Sequence, residues 1–197
     1  MKLIIIIENQ LFFIDNMTKE ELLETWVKQQ HEGQVIKKSK KPYYSHVLAV
    51  ASLAKNAVGF GYEIGLCHDL IEDTEVDQWI LKAQLQIFGY NEKEAQQITA
   101  GVIELTDVFT SAAYPNLTKP ERKKLELLRL LTISPLAQTV KYADVMDNTI
   151  WVLKYDHKHA PEYLRKKHSL LLQLNRGNAD LRQKALKLIE VNMIKPD

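Results

Sequence analysis

Helical periodicity dominates the chain from Thr18 onward: apolar residues recur at three- and four-residue spacings, and β-type alternation is nearly absent after Ile14. Thr18 and Glu21 form a capping-box pattern that opens a helix running to about His31, with Leu22, Leu23, Trp26 and Val27 on one side. Gly33 stops it, Lys37, Lys38, Lys40 and Lys41 read as a basic loop, and Pro42 leads into a second helix reaching about Ala57. Further helices are predicted over about 62–73, 77–88 and 91–105, followed by a long loop over 106–117. Thr118 and Glu121 repeat the capping box with Pro120 in the first turn, and Ser134-Pro135 opens a helix to about Tyr155. Pro161 and Asn178 begin the last two helices. With only seven glycines and no internal repeat, the pattern predicts an all-α fold, a compact single-domain bundle of roughly eight to ten helices.

Composition narrows the class. The chain has 197 residues, suited to one domain over 18–197 with residues 1–17 as an N-terminal extension, either an accessory strand or the product of an upstream translation start. Its 46% hydrophobic content suffices for a substantial core. A formal charge of +1 is too balanced for a protein that holds long nucleic acid by charge alone, which leaves room only for a local basic patch that takes one small anion. The apolar run Leu3–Ile7 ends at Glu8, too short for a signal-peptide core or a membrane span. The single cysteine, Cys67, permits no internal disulfide, and the expected compartment is the reducing cytoplasm.

Several polar residues occupy positions where a purely structural helix would be apolar. His46 shares a face with Val50, Leu53 and Ala57, and Asp144 shares one with Val140, Asp147 or Asn148, and Trp151. A buried unpaired carboxylate costs on the order of several kcal/mol, so Asp144 needs a cation, a metal or dense hydrogen bonding beside it. In the run from Cys67 to Thr74, the pairs His68/Glu72 and Asp69/Asp73 are expected to stack on successive turns of one helix. His46, His68, Asp69 and Asp144 together offer nitrogen and oxygen donors without thiolate, a set better suited to Mn²⁺, Fe²⁺ or a similar ion with open water positions than to closed structural zinc. The structural alternatives are ordinary. A lone inward histidine is more often a hydrogen-bonded core residue, Glu72-Asp73 at a helix end is normally solvated, Cys67 reads as a small buried apolar residue, and His157 and His159 read as exposed.

The order His, His-Asp, distant Asp resembles the HD superfamily of metal-dependent phosphohydrolases. HEGQ at 31–34, PYYSH at 42–46, HDLIEDT at 68–74 and KYADVMDN at 141–148 are similar to successive motifs of the hydrolase domain of RelA/SpoT alarmone enzymes, including small stand-alone forms. KPERKK at 119–124 and Glu162-Tyr163 resemble weaker downstream features, and the likeness spans roughly residues 18–175.

That resemblance implies one Mn²⁺ ion held by His46, His68, Asp69 and Asp144, with Glu72 and Asp73 orienting or deprotonating the attacking water. It further implies contacts to a nucleotide substrate from Lys37, Lys38, Lys119, Arg122, Asn148 and Tyr163. Lys37 stands where the family usually has Arg, Asp147 replaces a usually aromatic or imidazole residue, and the 107–117 loop matches poorly. The implied reaction is hydrolysis of guanosine 3′,5′-bis(diphosphate) or the pentaphosphate to GDP or GTP plus pyrophosphate. An HD nucleotidase or other nucleotide pyrophosphohydrolase, and a nucleotide-sensing module without turnover, are the alternatives.

Overall fold

The computed structural model describes residues 17–194 and, near the N-terminus, the backbone of Ile6–Ile7 and Gln10–Leu11. Those two short stretches pair antiparallel, Ile6 opposite Leu11 and Ile7 opposite Gln10. The rest of the 1–16 extension lies outside the described residues.

The bundle is all-α, and its helices begin where local chemistry starts them. α1 (Lys19–Gln30) and α7 (Lys119–Leu130) carry complete capping boxes at Thr18/Glu21 and Thr118/Glu121. α6 (Glu92–Leu105) carries a third at Asn91/Glu94. Asp77, Ser134 and Asn178 cap α5 (Gln78–Ile87), α8 (Pro135–Tyr155) and α10 (Ala179–Met193) by accepting from first-turn backbone N–H groups. α9 (Ala160–Gln173) follows a 3₁₀ turn at His157–His159, and Pro161 sits in its first turn, where its missing N–H costs nothing.

Two elements differ from the expectation. The second helix, α2 (Tyr44–Ala54), ends before Ala57. The helix predicted over 62–73 is two pieces, α3 (Gly61–Cys67) and α4 (Leu70–Asp73), separated at His68 and Asp69. Asp69 has φ −102° and ψ 0°, outside the helical well. A local bond accounts for the break: His68 Nδ1 lies 2.8 Å from the Gly65 carbonyl, the acceptor that the Asp69 N–H would use in a continuous helix. The pairs His68/Glu72 and Asp69/Asp73 therefore do not lie within one continuous helix, although the Asp73 N–H still donates to the Asp69 carbonyl.

α8 is the 21-residue axis against which α2, α3, α6, α9 and α10 pack. Its Val140, Ala143 and Val145 are buried with Leu23, Val50, Ile64, Leu66, Leu70 and Ile98 from its surroundings. α2 and α3 approach closely because Gly61 and Gly65 face Ala51 and Ala54 without side chains between them: a Cβ on Gly65 would lie 2.6 Å from the Ala51 Cα. That approach brings the end of α3 beside the start of α2 and the middle of α8.

Candidate metal centre and substrate cleft

His46, in the first turn of α2, His68 and Asp69, at the α3–α4 break, and Asp144, midway along α8, meet at one point. His46 Nε2 is 3.6 Å from Asp144 Oδ1 and 3.7 Å from Asp69 Oδ2. His68 Nε2 is 3.1 Å from Asp69 Oδ2 and 4.0 Å from Asp144 Oδ1. Donor atoms of His46, His68 and Asp144 all lie within 4.8 Å of one another, a group that could hold a divalent ion. Two donors each about 2.0–2.2 Å from a shared ion are separated by roughly 3–4 Å at ordinary coordination angles, which is the range seen here.

The surroundings fit a cation. His68 Nδ1 donates to the Gly65 carbonyl, which turns Nε2 toward Asp69 and Asp144, and Nε2 is buried with no hydrogen-bond partner among the described residues. A nitrogen so placed among carboxylate oxygens needs positive charge there, supplied by a proton on the ring or by a cation between them. The nearby carboxylates Asp69, Asp144 and Asp147 outnumber the one ammonium, Lys141, whose Nζ is 2.8 Å from Asp144 Oδ2, so the remaining negative charge is balanced either by protons on the imidazoles or by a bound cation. Burial pushes His46 down, but Asp144, Asp147 and Asp69 outweigh it and raise it to about 10. Burial pushes Asp144 up, and Lys141 with the two imidazoles outweighs that and holds it well below the usual carboxylate range. Lys141 carries no implied role in the KYADVMDN motif, yet it stands three residues before Asp144 on the same helix, the spacing at which two side chains meet.

Partners outside the cluster hold it in place. The Tyr43 hydroxyl donates to Asp69 Oδ2 at 2.6 Å, and the Asn148 amide donates to Asp144 Oδ1. Behind Tyr43 the buried His31 ring lies 5.2 Å away centroid to centroid, its Nδ1 bonded to Gln34 Oε1 at 2.8 Å. Gln34 Nε2 in turn donates to the Asp73 carbonyl at 2.6 Å. These links tie the HEGQ and PYYSH segments to the α3–α4 break.

Glu72 and Asp73, one turn beyond, are exposed on one flank. Glu72 Oε1 accepts from the Asp107 N–H at 2.5 Å. Burial, against that hydrogen bond but assisted by Asp107 and Asp69, raises Glu72 to about 7. Asp107 opens the 106–117 loop, whose next two N–H groups, of Val108 and Phe109, donate to Glu126 Oε2 at 3.0 and 3.2 Å.

Two cavities flank the cluster. One, of about 290 Å³, is walled by Val35, Ile36 and Trp151 and edged by Lys37, His46, Asp147 and Asn148. The other, about 700 Å³, lies between α7 and α9 and is lined by Lys123, Lys166, Lys167, His159 and Tyr163 among others. The Tyr163 hydroxyl is buried without a hydrogen-bond partner among the described residues. Burial first, then Lys141, lowers Lys167.

The remaining sequence-predicted residues sit as follows. Lys38 has φ +67° and pairs with Asp156 at 2.6 Å. Lys119 occupies the first turn of α7, and Arg122 donates to the Leu117 and Tyr114 carbonyls, closing the 106–117 loop. Cys67 is buried and its thiol pushed up by burial and by Glu63, as a core residue would be. His157 and His159 are exposed. No helix among the described residues is long and apolar enough to cross a membrane.

No family model matches the chain, and a search of curated proteins finds no match. A search of solved structures finds a metazoan ortholog of SpoT that hydrolyzes ppGpp and plays a role in starvation responses. The two share a TM-score of 0.74 and 21% identity over 91% of this chain and 98% of that one. The helical fold is therefore shared with that protein along nearly the whole length of both.

Proposed function

We propose that the chain is a metal-dependent phosphohydrolase that cleaves guanosine 3′,5′-bis(diphosphate) or pentaphosphate at the 3′ position, releasing pyrophosphate and GDP or GTP. The observation that carries this reading is the convergence of His46, His68, Asp69 and Asp144, in a cluster whose carboxylates outnumber its one ammonium, one turn from a carboxylate raised to about 7. The RelA/SpoT-like motifs supply the same residues in the same roles, and the activity of the structural neighbour agrees. These four residues would hold the ion, with Mn²⁺ the choice that suits mixed imidazole and carboxylate donors. When bound, such an ion supplies Lewis acidity, polarising a phosphoryl oxygen and making water a better nucleophile.

The chain's own groups do the rest. Glu72, raised to about 7, can take the water proton at Oε2, since Oε1 is engaged by the Asp107 N–H. The new bond forms between water oxygen and phosphorus as the bond from phosphorus to the 3′ oxygen breaks, and the 3′ oxygen takes up a proton. Asp73, whose carbonyl is held by Gln34, orients the same water. The apolar walls of Val35, Ile36 and Trp151 suit a purine, with Lys37 at their edge. Lys123 and Lys167, in a cavity that Glu126 and Glu162 also line and where Lys166 is paired with Glu162, suit the phosphates and would balance their charge as negative charge moves onto the 3′ oxygen. Asn148, at the edge of the apolar cavity, completes the proposed contacts, whereas Lys38, paired with Asp156, and Lys119 and Arg122, which line neither cavity, would have to turn toward the substrate to join them.

The test is to incubate Mn²⁺-loaded protein with a panel of purine nucleotides and identify the released product. Pyrophosphate from the guanosine 3′-diphosphates is expected. Orthophosphate release, or turnover confined to other nucleotides, would select the nucleotidase reading; binding without turnover would select the sensor.

A further inference from the structure

Asp147 lies one turn beyond Asp144 on α8 and points its carboxylate at the far side of the His46 ring: Oδ2 is 2.6 Å from Nδ1. A carboxylate can only accept there, so Nδ1 is the protonated nitrogen. The opposite nitrogen, Nε2, then faces Asp69 and Asp144 at 3.7 and 3.6 Å, beyond hydrogen-bond reach of either. The ring is otherwise held by edge contacts, with Tyr43 and His68 at 5.7 and 5.3 Å between centroids, which fix its plane less firmly than a short charged bond. Asp147 makes no other hydrogen bond among the described residues and borders the cavity beside Trp151.

We propose that Asp147 is a positioning residue that locks His46 in the Nδ1–H tautomer, aims Nε2 into the cluster and makes it a stronger donor to a divalent cation. The proposal rests on the metal reading above and adds to it a carboxylate–histidine pair contributed by a residue that departs from the RelA/SpoT pattern. Partners of this kind, bonded to the free nitrogen of a metal-binding histidine, typically change metal affinity 10–100-fold. His68 obtains the corresponding bond from the neutral Gly65 carbonyl, so the two imidazoles differ in donor strength, and His46 is the one charged from behind.

The experiment compares unaltered protein with Asp147→Ala and Asp147→Asn, using Mn²⁺ titration calorimetry and ¹⁵N spectra of labelled histidine recorded without metal above pH 10, where the His46 ring is neutral and its tautomer can be read. Asp147→Ala is expected to weaken Mn²⁺ binding 10–100-fold and to lose the uniform Nδ1–H signature of His46. Asp147→Asn keeps an acceptor oxygen but not its charge, and is expected to restore the tautomer and only part of the affinity. Both variants should keep the helical circular dichroism of the parent, and neither removes a buried apolar group. Mn²⁺ uptake left unchanged by Asp147→Ala, or a His46 tautomer indifferent to the substitution, would overturn the role of Asp147 alone. Failure of the unaltered protein to take up any divalent ion would instead overturn the metal reading, and this proposal with it.

Discussion

Glu72 and Asp73 are adjacent carboxylates, yet only Glu72 receives a backbone N–H while sitting near two other carboxylates, and it is raised to about 7. A base poised there is half-deprotonated at neutral pH, so kcat/KM should rise with pH through a midpoint near or below 7, a bound cation drawing it lower. Glu72→Gln should cost at least about 10²-fold in rate while Mn²⁺ binding persists; loss of metal together with rate would remove Glu72 from the role of base. Stability supplies an independent check. Because the folded value lies above the ordinary 4.5, the stabilising contribution of Glu72 is fully present below pH 4.5 and lost as pH rises through about 7. Glu72→Gln should therefore melt with the parent at pH 4.5 and above it at pH 8, by roughly 1 kcal/mol once solvent screening of its exposed flank is allowed for. Lys141 acts in the opposite sense. Lys141→Met leaves Asp144 facing two carboxylates without its 2.8 Å partner, and is expected to cost about 3–5 kcal/mol in metal-free denaturant unfolding, part of it recovered on adding Mn²⁺.

The cluster depends on how closely α2 and α3 approach, because one brings His46 and the other leads into His68, with ring centroids 5.3 Å apart. A methyl at Gly65 would meet the Ala51 backbone at 2.6–2.8 Å, which no side-chain rearrangement relieves. Gly65→Ala should thus force the helices apart, costing about 1–3 kcal/mol and weakening Mn²⁺ binding. Gly59→Ala, with nothing within 4 Å of the new methyl, serves as the control with little effect on either measurement. The elements themselves were largely legible, since capping chemistry at Thr18, Thr118, Ser134 and Asn178 acts over three residues. The α3–α4 break was not: propensity along HDLIED favours one helix, and the interruption arises from where the His68 ring turns. Inward periodicity pointed to His46 and Asp144, and the structure brings them together. The His46–Asp147 pair, 101 residues apart in sequence, and the donation of Tyr43 to Asp69 depend on packing between helices, which no local pattern encodes.

Across the whole molecule, an ion at this point would join α2, the α3–α4 break and α8, elements separated by long stretches of chain and otherwise held by apolar contact and a few hydrogen bonds such as His46–Asp147 and Tyr43–Asp69. An unfolded chain offers no such convergence, so binding favours the native state by mass action: about 2.7 kcal/mol at a free ion concentration of 100 times Kd. For a domain of this size each kcal/mol moves the melting midpoint by roughly 2–4 °C, so saturating Mn²⁺ should raise it by about 5–10 °C, and excess chelator should return it. The gain should also be uneven. Hydrogen exchange should slow most in α2, α3 and the middle of α8, whereas α10, which packs mainly on α8 and α9 away from the cluster, should gain little beyond what global unfolding imposes. Asp144→Asn keeps nearly the volume of the buried carboxylate but removes its charge and half its acceptor capacity, and should lose most of the Mn²⁺-dependent shift. If that variant instead showed the full shift, with protection spread evenly over the bundle, the ion would be binding elsewhere and the convergence of His46, His68, Asp69 and Asp144 would be a polar core rather than a metal centre.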